Sequence, residues 1–173
     1  MNSSSIPPGD IQLRASVVSD ESVLYALFTV CRDDLLLALA SLESVQQESL
    51  LRMQFQAQRE QYRQTYPQAC QSMIIYKNEI IGQMLVDRDR DICLVDMGLR
   101  PEYRNRGIGG ALLRTLLDEA ARSDKRVVLH VAQGNPAARL YGRLGFTDCG
   151  GGEVYRSMVW ASSTLGADQA DEC

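Results

Sequence analysis

The chain has 173 residues, 45% of them hydrophobic and 23% charged, with a net charge of −4 from 18 basic and 22 acidic side chains. This describes one globular domain able to bury a core without staples, and its acidic balance argues against a general nucleic-acid partner. No apolar run approaches the roughly 18 residues that cross a bilayer, and five widely spaced cysteines with a single histidine, His130, disfavour a disulfide framework or any metal centre and suggest a reducing, cytoplasmic setting.

Met1 to Asp10 is rich in Ser, Pro and Gly and lacks the features of a signal peptide. Together with the small acidic tail from residue 162 to 173, it is expected to fray. Ile11 to Ala15 alternates apolar and polar residues and predicts a strand. Asp20 then caps a helix with an apolar stripe of Val23, Leu24, Leu27, Phe28 and Cys31, within a helical stretch reaching Leu42. A second helix starts near Ser44, with Gln47 at capping-box spacing, carries Leu51, Phe55, Tyr62 and Tyr66, and stops at Pro67. Ser72–Lys77, a turn at Asn78-Glu79, and Ile80–Asp87 form a hairpin, with Gly82 expected at a bulge. After the charged tip Arg88–Asp91, Ile92 to Leu99 completes an antiparallel meander.

The second half changes style. Ile108 to Arg122 is strongly amphipathic, and Val127 to Val131 is a short apolar strand. Strand, helix, strand in about 40 residues is a βαβ unit, so the strands at 92–99 and 127–131 should run parallel. A helix over Pro136–Leu144 stops at Gly145. A strand near Phe146, the turn Gly150–Gly152 and a strand over Glu153–Trp160 close the chain as a hairpin. The expected fold is α/β: a mixed, mostly antiparallel sheet of about seven strands with a central βαβ crossover and about four flanking helices, all in a single domain over residues 1–173.

The segment Arg100-Pro101-Glu102-Tyr103-Arg104-Asn105-Arg106-Gly107-Ile108-Gly109-Gly110 joins a strand to the amphipathic helix. Unpaired N–H groups at a helix start carry partial positive charge, and glycines admit an anion to them. That is a means of gripping a pyrophosphate, and Arg104 and Arg106 could add charge-assisted contacts. A Walker loop would need Gly-Lys-Ser/Thr, and a dinucleotide fingerprint would need glycine at Leu112. Sixteen of the 18 basic residues are arginine, and Arg100, Arg104 and Arg106 concentrate here.

Arg104-x-x-Gly107-x-Gly109 resembles the acetyl-CoA loop of the GCN5-related N-acetyltransferases, the GNAT superfamily. Met97-Gly98-Leu99-Arg100-Pro101-Glu102-Tyr103-Arg104 resembles that family's fourth strand and its exit. Asn135-Pro136-Ala137-Ala138-Arg139-Leu140-Tyr141-Gly142-Arg143-Leu144-Gly145-Phe146 is similar to its Asn-x-x-Ala-x-x-Tyr-x-x-x-Gly-Phe signature. The first 70 residues share only the layout.

The resemblance implies that the strands at 92–99 and 127–131 splay and admit the pantetheine arm of acetyl-CoA. Backbone groups of Met97, Gly98 and Leu99 would line the arm. Arg104, Asn105, Arg106, Gly107, Ile108 and Gly109 would hold the pyrophosphate, and Asn135, Ala138 and Tyr141 would complete the cofactor site. Tyr141 matches the general acid that protonates the leaving thiolate. Some family members carry a Glu on the fourth strand where this chain has Cys93, which is read as an inert thiol. Alternation puts Asp96 on the face opposite Met97 and Leu99, where it could still act through water but an exposed ion pair is expected. Tyr62, Tyr66 and His130 carry no motif, and His130 is read as structural.

The acceptor, an amine of a small molecule or protein, would sit between the two N-terminal helices and the loop Gly150–Val154. The Gln-rich second helix reads as a solvated face. The leading function is an acetyl-CoA-dependent N-acetyltransferase working by direct attack. The alternative is a catalytically silent acyl-CoA-binding or sensing module. A transferase acting on charged tRNA would need a basic surface that the sequence does not display. The C-terminal edge strand offers a pairing surface for a homodimer.

Overall fold

The structure is a computed structural model that describes residues 6–162, without the side chains of residues 33 and 34. The elements are β1 (Ile11–Ala15), α1 (Glu21–Cys31), α2 (Asp33–Leu39), α3 (Ser44–Thr65), β2 (Cys70–Tyr76), β3 (Glu79–Asp87), β4 (Ile92–Leu99), α4 (Ile108–Ser123), β5 (Val127–Ala132), α5 (Ala137–Arg143), β6 (Thr147–Gly151) and β7 (Tyr155–Trp160). The seven strands form one sheet in the order β1-β2-β3-β4-β5-β7-β6. Only β4 and β5 pair in parallel; every other neighbouring pair is antiparallel.

Local chemistry sets several boundaries. The Asp20 carboxylate accepts from the Val17 N–H at 2.8 Å and from both Arg14 guanidinium nitrogens at 2.9 Å. It therefore closes the turn from β1 rather than capping the first turn of α1. The helical stretch expected through Leu42 breaks at Arg32, whose backbone leaves the helical region with ψ 62. Lys77 and Asn78 both take positive φ, so the β2–β3 turn sits one residue earlier than expected. Residues 6–10, expected to fray, are folded: Ile6 is buried in the main core and its N–H donates to the Arg106 carbonyl. The tail from residue 163 onward lies outside the described residues.

Two apolar layers sandwich the sheet. One face packs on α4 and α5 through Ile108, Leu112, Leu113, Leu116, Leu117 and Tyr141. The other face carries a smaller cluster of Leu24, Leu27 and Phe28 from α1, Leu51 and Phe55 from α3, and Met73 from β2. α3 buries only Leu51 and Phe55 along its 22 residues, in keeping with a helix whose remaining surface is solvated. No described helix is long and apolar enough to cross a membrane.

Two irregularities shape the centre. Leu85 pairs with Asp96 and Val86 with Leu94, which leaves Val95 as an extra residue in β4. A bulge of this kind reverses the alternation beyond it, so Met97 and Leu99 follow Ile92 and Leu94 onto the α4 side. Cys93 and Asp96 share the opposite side. Pairing of β4 with β5 ends at Leu94–Leu129; beyond it the two strands diverge.

Candidate active site

The divergence opens one edge of β4. The Arg100 N–H donates to the Ile81 carbonyl on the β3 edge at 2.9 Å. Backbone alternation then turns the groups of Met97 and Leu99 toward the β5 edge, where no strand follows. Two of those groups have partners. The Leu99 carbonyl accepts from Arg104 Nε at 3.0 Å and from Cys31 Sγ at 3.4 Å, and the Met97 N–H donates to the Asp96 carboxylate. The Met97 carbonyl and the Leu99 N–H face the opening. Gly82 lets β3 and β4 approach here, since a Cβ at that position would stand 2.4 Å from the Gly98 carbonyl oxygen.

At the end of β4, the expected anion loop precedes α4. Asn105 (φ 59) and Gly107 (φ 82) are left-handed, and the N–H groups of Ile108, Gly109 and Gly110 have no acceptor within the helix. A Cβ on Gly109 would meet Leu140 and Met97 at 3.6 Å, ordinary contact, so packing does not demand a glycine there. The space above these amides suits a phosphate group. The arginines of the loop have partners within the protein. Arg100 pairs with Glu79 at 2.6 Å. Arg104 binds the carbonyls of Leu99 and Val30 at 3.0 and 3.2 Å, tying the loop to β4 and α1. The Arg106 guanidinium lies 5.5 Å from the Tyr103 ring centroid.

On the far side of the opening, the Asn135 side-chain oxygen accepts from the Ala137 N–H at 2.9 Å. This closes the turn into α5. Asn135 lines a cleft of about 310 Å³ with Gly134, Pro136, Ala138, Arg139 and Arg156. Tyr141, on the buried side of α5, packs edge-on against Phe146 with ring centroids 5.7 Å apart. Burial, aided by the nearby Asp96 charge, pushes its phenol up to about 12, so it keeps its proton throughout the physiological range.

Asp96 overturns the expectation of an exposed ion pair. It is partly buried, and its carboxylate accepts from Gln83 Nε2 at 2.7 Å. Burial raises its carboxyl above the ordinary range, opposed by Gln83, the Met97 N–H and the Arg32 charge. It does face away from Met97 and Leu99, as alternation implied. Tyr62 lies within the electrostatic reach of Asp96 and Tyr155, and burial first, then these neighbours, raise its phenol. Tyr66 is pushed up to about 12 by burial and by its neighbour Cys93, whose thiol burial also raises. A raised thiol is poorly ionised and a weak nucleophile. His130 is exposed on β5.

Met97, Leu99, Ala138 and Tyr141 thus pack in one apolar cluster, with the loop from Arg104 to Gly109 at the end of β4 and Asn135 just before α5. The sequence reading missed Gln71, Gln83, Arg32 and Tyr155. One signal was available: Gln83 is the single polar side chain in the run Ile80–Val86.

A model of the acetyltransferase (GNAT) family matches residues 36–146. No curated protein sequence matches the chain. Among solved structures, the PaiA N-acetyltransferase of Thermoplasma acidophilum in complex with coenzyme A superposes with a TM-score of 0.66 at 16% identity, over 87% of this chain and 98% of that one. The ribosomal-protein-S18-alanine N-acetyltransferase of Escherichia coli gives 0.60 at 16% identity, over 94% and 99%. The spermidine/spermine N-acetyltransferase SpeG of Vibrio cholerae, in mutant forms, gives 0.61 at 17% identity, over 91% and 96%. At these identities the likeness is one of fold.

Proposed function

The chain belongs to the acetyltransferase (GNAT) family, whose cosubstrate is acetyl-CoA, and on that premise we propose that it is a single-domain N-acetyltransferase that acetylates an amine of a small molecule or protein. The observation that carries this reading is the divergence of β4 from β5 after Leu94–Leu129, beside a buried, proton-loaded Tyr141. When bound, acetyl-CoA supplies a thioester carbonyl open to attack by an uncharged amine and a thiolate as leaving group.

The protein's own groups supply the rest. The amides of Ile108, Gly109 and Gly110 take the pyrophosphate, and Asn135 donates to the arm. The Leu99 N–H and Met97 carbonyl pair with the arm as an added strand would. Tyr141 donates its proton to the departing sulfur. Its raised pKa keeps it protonated, while Cys93, with Tyr66 from the end of α3 beside it, stands nearer the start of β4. Relatives sharing the fold include a ribosomal-protein alanine acetyltransferase and a spermidine/spermine acetyltransferase, so both protein and small-molecule amines belong in the assay.

The test is release of free thiol from acetyl-CoA against a panel of such amines, comparing wild type with Tyr141→Phe. Turnover should fall about 10²- to 10⁴-fold in the variant, the usual worth of a positioned acid, with acetyl-CoA affinity retained. Undiminished turnover in Tyr141→Phe would remove the acid role. Tight acetyl-CoA binding with no turnover in wild type would favour the silent binding module.

A further inference from the structure

The loop from Arg100 to Gly107 is braced from several directions. Glu79 holds its first half, through Arg100 at 2.6 Å and the Tyr103 hydroxyl at 2.8 Å, and Arg104 ties it to β4 and α1. The second half turns left-handed twice, at Asn105 and Gly107. Such a backbone keeps one shape only where its surroundings over-determine it. Here a brace comes from ahead of the first strand: the Ile6 N–H donates to the Arg106 carbonyl at 3.0 Å.

Ile6 reaches that carbonyl on a stiff segment. It is 5% exposed and lies in the same buried cluster as Ile108 and Leu112. Pro7 confines Ile6 to extended backbone and is itself extended, with φ −59 and ψ 136. Pro8–Asp10 then forms one 3-10 turn, closed by the Asp10 N–H on the Pro7 carbonyl at 3.1 Å, and runs directly into β1. Two prolines in a row leave little freedom to lose when Ile6 docks.

In a trans peptide the carbonyl of one residue and the N–H of the next point in opposite directions. The bond from Ile6 to the Arg106 carbonyl therefore turns the Gly107 N–H away from residues 6–10, and that N–H finds no acceptor among the described residues. We propose that Ile6–Asp10 is a strap that positions the pyrophosphate loop. Docked Ile6 holds the 106–107 peptide so that the Gly107 N–H joins the amides of Ile108, Gly109 and Gly110. The inference rests on the acetyl-CoA site proposed above. Ile6 is a positioning residue: it acts on the cofactor through Arg106 and Gly107. With the strap undocked the peptide is free to turn over, which would aim the Arg106 carbonyl at the phosphates. Linkage is reciprocal, so the factor that docking adds to acetyl-CoA affinity is the factor that acetyl-CoA adds to docking.

The experiment titrates acetyl-CoA into the full chain as wild type, Ile6→Ser, Ile6→Val and Pro7→Gly, at a temperature where circular dichroism shows each one folded. Ile6→Ser should weaken binding about tenfold, the effect of losing one well-aimed bond to a charged group, and Ile6→Val should restore it. Pro7→Gly should weaken it by less, and it serves if Ile6→Ser fails to fold. Acetylpantetheine, which lacks the pyrophosphate, should bind wild type and Ile6→Ser alike. In turnover the loss should appear in KM for acetyl-CoA with kcat intact. Hydrogen exchange at the Ile6 amide of wild type should slow about tenfold at saturating acetyl-CoA. A strap that served stability alone would lower Tm and leave these readouts unmoved. Wild-type acetyl-CoA affinity in Ile6→Ser and Pro7→Gly, an equal loss for acetylpantetheine, or Ile6 exchange indifferent to acetyl-CoA would overturn the proposal. Strap-dependent binding with no amine acetylated counts against the transferase reading alone, and absence of acetyl-CoA binding in wild type removes both.

Discussion

Tyr141 and Asp20 are both buried, and their surroundings move them in opposite senses. Tyr141 is buried against Phe146 with the Asp96 charge nearby, so its neutral form is favoured. Asp20 receives two bonds from Arg14 and one from Val17, so its charged form is favoured and its carboxyl lies below the ordinary range. A carboxyl lowered on folding binds fewer protons in the native state than in the unfolded one. Its stabilisation is complete above the ordinary carboxylate range and is lost as pH falls through the folded value. Thermal melts should therefore show the widest Tm gap between wild type and Asp20→Ala above about pH 5, narrowing toward about pH 2. A gap that stays constant across that window would contradict the assignment. At this scale the sequence singles out Tyr141 because it sits in a contiguous motif. It does not single out Asp96, because Gln83, 13 residues away, and Gln71, which donates to Gln83, meet it only through strand register.

Among the elements, β4 carries the candidate site, and two glycines nearby have different duties. Gly82 is required by packing, since a Cβ would stand 2.4 Å from the Gly98 oxygen and 2.8 Å from Leu99 Cδ2. Gly82→Ala should cost about 1–3 kcal/mol and lower Tm by several degrees. Gly109→Ala meets only ordinary contacts at 3.6 Å and should melt within about 1–2 °C of wild type. Equal melting of the two variants would show that β3 and β4 are not as close as described. Helix and strand positions followed from apolar periodicity, and the termini of β1 and β4 match the expectation to the residue. The Val95 bulge and the break at Arg32 did not follow. Both depend on which neighbour a backbone group finds across the fold, and local sequence does not encode that.

For the whole molecule, the net charge of −4 gives little guide to the site. The three loop arginines looked like a charge reservoir for a polyanion. Yet Arg100 is neutralised by Glu79, and Arg104 braces carbonyls of β4 and α1. The start of α4 presents three amides without an acceptor in the helix, and the sheet parts after Leu94 and Leu129. Both features are products of topology: a parallel crossover set inside an antiparallel sheet, with α4 rising directly from the strand that parts. The measurement that addresses this most directly is calorimetric titration of acetyl-CoA into the full chain. Saturable binding at one molecule per chain is predicted. Absence of binding up to about 1 mM acetyl-CoA would contradict the account at its root.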